Sequence, residues 1–290
     1  MKHWSAITAP TLGLTVALAA VLTPGLAIAA DPLPPGLIEL TNGNAVYRAD
    51  LLRFSEDQSW LVDGVETLFS DLYFLNLGNS SAERELRLED LRPVAFSQLA
   101  SNHISATFST FGANLNFSID SVLLGGAPGS YRAARHETVT LTNTGSSWLD
   151  VSLFKYIDYD LQFDGIINNN STFFAGNTLT QTDPSGAVAT LAVDQTPSAV
   201  QISPYGPLLA QLYNSPATGL QNSPGPLIDG DATAAFQFDR ALAPGESVVF
   251  KFVMAVQRQA QAKAVPEPGT ALALGMAAAG LALLRRRQEH

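Results

Sequence analysis

The chain contains no cysteine. That excludes a disulfide scaffold, so a domain of this size must hold together through its apolar core. Basic residues are scarce as well: 16 Lys and Arg stand against 26 Asp and Glu, a formal charge of −10. A surface of that sign repels phosphate, which argues against nucleic acid and anionic lipid and leaves divalent cations or neutral polysaccharide as partners. Histidine is rare too. Between the terminal segments only His103 and His136 remain, and they could serve zinc only if the fold joined them to a carboxylate. No Gly-x-Ser-x-Gly, Walker or dinucleotide-binding pattern occurs, and Gly125-Gly126 is too short to cradle phosphate. Sustained helical periodicity is also missing, which argues against a bundle.

What is present is two-residue alternation. Residues 104–108 and 113–119 read as a hairpin, with Ile104, Ala106, Phe108, Leu115, Phe117 and Ile119 inward and Asn114, Asn116 and Ser118 outward. In residues 137–142, Val139 and Leu141 alternate with Thr138, Thr140 and Thr142. Residues 47–54, 60–69, 72–77, 187–193, 236–238 and 248–256 read as further strands, and 148–163 as one long strand or a bent pair. Residues 82–91 are ambiguous and lean to strand, while 168–170 and 176–177 read as loop and turn. Between Ser203 and Asp231 five prolines leave room only for a short helix near 208–213. A loop of that length is functional or packs over a sheet end. The expected fold is an all-β antiparallel sandwich, spanning residues 30–264, with flanking signals.

The N-terminus reads as a secretory signal peptide, residues 1–29: Lys2 and His3, an apolar stretch over 12–22, a Pro24-Gly25 break, and Ala27-Ile28-Ala29 before the cut. Cleavage is expected after Ala29 or Ala30, with a translocon and signal peptidase as partners. At the other end, residues 265–290 open with Val265-Pro266-Glu267-Pro268, continue as an apolar run, and close on Arg285-Arg286-Arg287. The prolines forbid a helix running in from upstream. A helix over 269–284 would be about 24 Å long, short of a roughly 30 Å hydrocarbon core, so the arginines would snorkel. Their charge favours a cytoplasmic C-terminus.

That tail resembles the PEP-CTERM sorting signal of Gram-negative bacteria, in the order, spacing and terminal position of its three parts. The resemblance covers about a tenth of the chain and implies handling by an exosortase, a membrane transpeptidase-like cysteine protease that acts near the Pro-Glu-Pro motif. It implies an inner-membrane-anchored precursor and a mature form at the cell surface or in the extracellular matrix. It implies no activity.

The densest polar cluster is Asp158-Tyr159-Asp160-Leu161-Gln162-Phe163-Asp164. On a strand, Phe154, Tyr156, Asp158 and Asp160 share a face, and aromatics beside carboxylates are how a sheet surface meets sugar. Asp158, Asp160 and Asp164 are calcium candidates, since hard cations want several oxygens, although the spacing is not that of an EF-hand. The Asp229-Gly230-Asp231 turn could supply oxygens from elsewhere. The leading expectation is an exported surface protein without catalysis, associated with extracellular polysaccharide. The alternative is a glycosidase-like enzyme using acids of the 158–164 region, one protonated and one ionised.

Overall fold

The computed structural model describes residues 36–52, 58–78, 85–112, 114–217 and 219–258. The signal peptide, the Val265, Pro266, Glu267 and Pro268 motif, the 269–284 helix and Arg285, Arg286 and Arg287 lie outside the described residues. Among the described residues no helix is long and apolar enough to cross a membrane.

The chain opens with β1 (Leu37–Asn42), β2 (Ala45–Asp50), β3 (Ser59–Val62) and β4 (Val65–Glu66), an antiparallel sheet of four strands. Next come β5 (Ser70–Leu77), the short β6 (Leu86–Arg87), β7 (Arg92–Ala100), β8 (His103–Ser109), β9 (Leu115–Gly125), β10 (Arg132–Asn143) and β11 (Leu149–Asp158). The rest is β12 (Asn170–Ala175), β13 (Thr178–Thr182), β14 (Ala187–Val193), β15 (Ala199–Pro204), helix α1 (Pro207–Tyr213), β16 (Leu227–Gly230), β17 (Ala232–Leu242) and β18 (Ser247–Arg258). Nine strands pair in the order β16-β12-β13-β14-β18-β10-β9-β8-β7, and five in the order β15-β17-β11-β5-β6.

The alternation read from the sequence explains the larger sheet. In β9, Leu115, Phe117, Ile119 and Leu123 are buried while Asn116, Ser118 and Asp120 are not, and β10 buries Val139 and Leu141 between its threonines. These inward faces meet Val151, Leu153 and Ile157 of β11 and Phe236 and Phe238 of β17 in one core. Strand β11 is buried on both sides. Its second face, with Phe154 and Tyr156, is roofed by Leu208 and Leu212 of α1 and by Leu220. Residues 82–91 depart from the strand expectation. Only Leu86 and Arg87 pair with β5, and a 3-10 turn over Leu88–Asp90 follows, with the Asp90 carboxylate accepting the Arg87 N–H. The turn expected at Gly176-Asn177 joins β12 and β13, a hairpin whose strands the alternation does not predict, and Asn170, expected in a loop, opens β12.

Candidate functional site

Strand β11 carries two charged centres, one on each face. Inward, Lys155 sits between the sheets, fully buried. Its Nζ lies 2.9 Å from Glu137 Oε2 and also pairs with Asp71. Arg135 closes the group, 3.0 Å from Glu137 Oε1, paired with Asp71 and stacked over the Tyr47 ring at 3.8 Å. The Tyr73 hydroxyl donates to Glu137 at 2.6 Å. Burial alone would push the Glu137 carboxyl up, but Arg135 and Lys155 hold it well below the usual carboxylate range. Two carboxylates face two basic groups, and burial lowers the Lys155 ammonium to about 7 against the pull of Glu137.

The outward centre lies where β11 ends. The backbone carbonyl of Asp158 accepts the Phe69 N–H at 2.9 Å, and the chain turns back so that the Asp160 N–H reaches Thr67 O at 3.2 Å. Thr233 of β17 stands opposite Asp158 in register, which brings Asp231, just before that strand, alongside. Carboxylate oxygens of Asp158, Asp160 and Asp231 all lie within 4.8 Å of one another. Asp158 is 1% exposed, and its Oδ1 accepts no hydrogen bond among the described residues; Oδ2 takes only a long one, 3.4 Å, from the Tyr156 hydroxyl. Asp160 and Asp231 are half-buried and open to solvent on one side.

Among the described residues no salt bridge joins a cation to this group. Burial pushes the Asp158 carboxyl up to about 8, with the charges of Asp160 and Asp231 adding to it. Asp160 rises to about 6 through burial, Asp231 and Glu66, and Asp231 is raised by burial. An aromatic pair borders the cluster. Tyr205, 47% exposed, meets Phe69 edge to face at 5.8 Å, and its backbone N–H donates to Asp231 O at 2.9 Å.

The structure brings together only some of the residues that the sequence groups. Asp158 and Asp160 do come together, but the third carboxylate is Asp231 and not Asp164. Asp164 is exposed in its own loop, where Asn169 Nδ2 and the Ile166 N–H donate to it at 2.8 and 2.9 Å. Phe154 and Tyr156 cannot stack on a sugar, because α1 covers them. The accessible aromatic beside the acids is Tyr205, which lies in the proline-rich loop. His103 and His136 sit on strands either side of Val122, and His103 contacts Asp120 at 3.0 Å, but they form no cluster with metal-ligand spacing. Three hard oxygen donors would suit calcium as well as a proton, though six to eight are the usual complement.

No family model and no curated protein matches the chain. Among solved structures it is similar to a bacterial glucoamylase complexed with acarbose, at TM-score 0.51 and 7% identity, over 79% of this chain and 34% of that one. A polysaccharide lyase matches at TM-score 0.44 and 13% identity over 76% of this chain and 34% of that one. A galactose mutarotase-like protein from Lactobacillus casei matches at 0.43 and 11% over 77% and 100%. The chain thus spans about a third of the glucoamylase, and at this identity the likeness is one of fold. It nonetheless overturns the expectation of a surface protein without catalysis. The sandwich is one that a carbohydrate-acting enzyme carries, and here it holds uncompensated acids within reach of solvent.

Proposed function

We propose that the protein is a carbohydrate-active enzyme whose acid–base chemistry takes place at Asp160 and Asp231. The carrying observation is three carboxylates in mutual reach with no cation among them, beside an exposed tyrosine. Carboxylate oxygens within 4.8 Å of one another fall nearer the roughly 5–5.5 Å separation of retaining glycosidases than the roughly 6.5–9.5 Å of inverting ones. Asp160, protonated below about 6, is the group to protonate a departing glycosidic oxygen. Asp231, more exposed to water, is the ionised partner on the other side of the bond. Asp158 is too buried to touch substrate. It stays neutral behind them and keeps the field at Asp160 from rising further. Tyr205 offers its ring to the apolar face of a pyranose.

A panel of soluble glycosides and oligosaccharides, assayed for reducing ends, tests this reading. Asp160→Asn should abolish turnover while binding persists. Turnover retained in Asp160→Asn, or absent from the wild type across the panel, would sink it.

We also infer export and exosortase processing, with a cell-surface or matrix destination. The support is the residue order of the two termini alone. Mass spectrometry of the mature C-terminus, compared between cells with and without exosortase, tests it: an intact Arg285-Arg286-Arg287 end in both would refute processing.

A further inference from the structure

The end of the sandwich opposite the acids carries two aromatic rings that no packing explains. Phe111, 75% exposed, tips the β8–β9 hairpin, and Trp148, 71% exposed, ends the loop between β10 and β11. Hydrogen bonds tie the described residues of the two loops together. The buried Asn143 side chain donates to Ser147 O at 2.8 Å and to Leu242 O at 3.0 Å, and accepts the Gly145 N–H at 2.9 Å. The N–H and hydroxyl of Thr144 both reach Asn114 O, at 2.7 and 2.8 Å, which locks one loop onto the other. Across the hairpin the Thr110 N–H donates to Leu115 O at 3.0 Å. Leaving the Trp148 ring in water forgoes the gain of burying it, so packing does not account for its position.

We propose that this end is a second carbohydrate-contact surface, which grips a neutral polysaccharide chain by stacking on Trp148 and Phe111. Three observations select that occupant. First, the two loops are uncharged, running Ser-Thr-Phe-Gly-Ala-Asn-Leu-Asn over 109–116 and Asn-Thr-Gly-Ser-Ser-Trp over 143–148, in a protein of charge −10. A neutral partner meets no repulsion there, unlike an anionic one. Second, Asn114, Asn116, Thr144, Ser146 and Ser147 offer both donors and acceptors, the pairing that sugar hydroxyls need. Third, two rings cover at most a few hundred Å², well short of the roughly 800 Å² per partner of a stable protein interface. An isolated ring matches a single pyranose face.

The surface is separate from the acids. Strand β11 runs from Leu149, beside Trp148, to Asp158, ten residues and so about 30 Å. The proposal shares carbohydrate with the preceding reading but does not depend on turnover. Native gels cast with dextran, hydroxyethylcellulose or galactomannan, with alginate as the anionic control, test it on the full chain. Wild-type protein should be retarded by at least one neutral polymer. Trp148→Ala and Phe111→Ala should each weaken retention at least fivefold, with melting temperature and turnover of short glycosides unchanged. Asp160→Asn should lose turnover and keep retention, so the two readings fail separately. Free migration of the wild type in every neutral gel would overturn the proposal, as would equal retardation of the variants. Concentration-dependent dimerisation lost in Trp148→Ala would also overturn it, since a second copy would then be the occupant.

Discussion

Lys155 and Asp158 are three residues apart on one strand, and their surroundings treat charge in opposite ways. Around Lys155, two carboxylates meet two cations at ion-pair distance between the sheets, and the group fastens β5, β10 and β11 together, although burial lowers the Lys155 ammonium to about 7. Around Asp158, three carboxylates meet with no cationic side chain paired to them among the described residues, and burial favours their protonated forms. A balanced centre is a structural fixture, costly to break. An unbalanced one is held in place by the fold at some expense in stability and is free to exchange protons. That contrast separates the part of β11 that builds the sandwich from the part proposed to do chemistry.

The largest expected effect is on the balanced side. Lys155→Met leaves Asp71 and Glu137 buried with too little positive charge and should destabilise by about 3–5 kcal/mol, the range for removing one partner of a buried ion pair. At roughly 2–4 °C per kcal/mol for a domain of this size, thermal unfolding followed by circular dichroism should show a drop of about 10 °C. The matching change on the other face, Asp160→Asn, should leave the melting temperature unchanged or higher. Its cost should fall on turnover, about 100-fold or more, as is usual for loss of a general acid. Equal loss of stability in both variants would erase the contrast.

A smaller effect is expected from pH. The folded-state carboxyl of Asp158 is raised far above its unfolded value, so its contribution to stability is complete below about 4 and is lost as pH rises through about 8. Asp158→Asn removes that dependence. Its melting temperature should exceed the wild type's by about 5 °C at pH 8.5, with the gap closing at pH 4, as scanning calorimetry would show. A gap that widens at low pH would contradict the raised carboxyl. Turnover should fall as pH rises through about 6, since Asp160 must hold its proton. The smallest effect is at the rim. Tyr205→Ala should raise KM about fivefold and leave kcat within twofold, given about 1 kcal/mol for one stacked ring.

How far the sequence was legible follows the same division. Strands whose inner and outer residues differ in polarity, such as β9 and β10, could be read directly. Lys155 could not, because a lysine among Val151, Leu153 and Ile157 breaks the apolar pattern unless its partners on β5 and β10 are already known. The outward face of β11 was misjudged for a related reason. Alternation assumes one wet face, and nothing local to Phe154 or Tyr156 shows that α1, more than 50 residues later, will cover them. Asp231 and Tyr205 reach the site only through the β11–β17 register and the proline-rich loop. The length of that loop was a usable sign; its destination was not. The β12–β13 hairpin shows only its turn, Gly176-Asn177, in the sequence; its strands, rich in threonine, carry too little alternation to be read before the pairing is known.

The most direct test needs no substrate. Carbon-13 NMR of the aspartate carboxyls, titrated from pH 3 to 9 and assigned with Asp158→Asn, reads each proton as it leaves. Asp158 should remain protonated past neutrality and titrate near 8, with Asp160 following the acid limb near 6. An Asp158 resonance that moves near pH 4, as for a free side chain, would mean that the outward centre is neutralised by something other than protons.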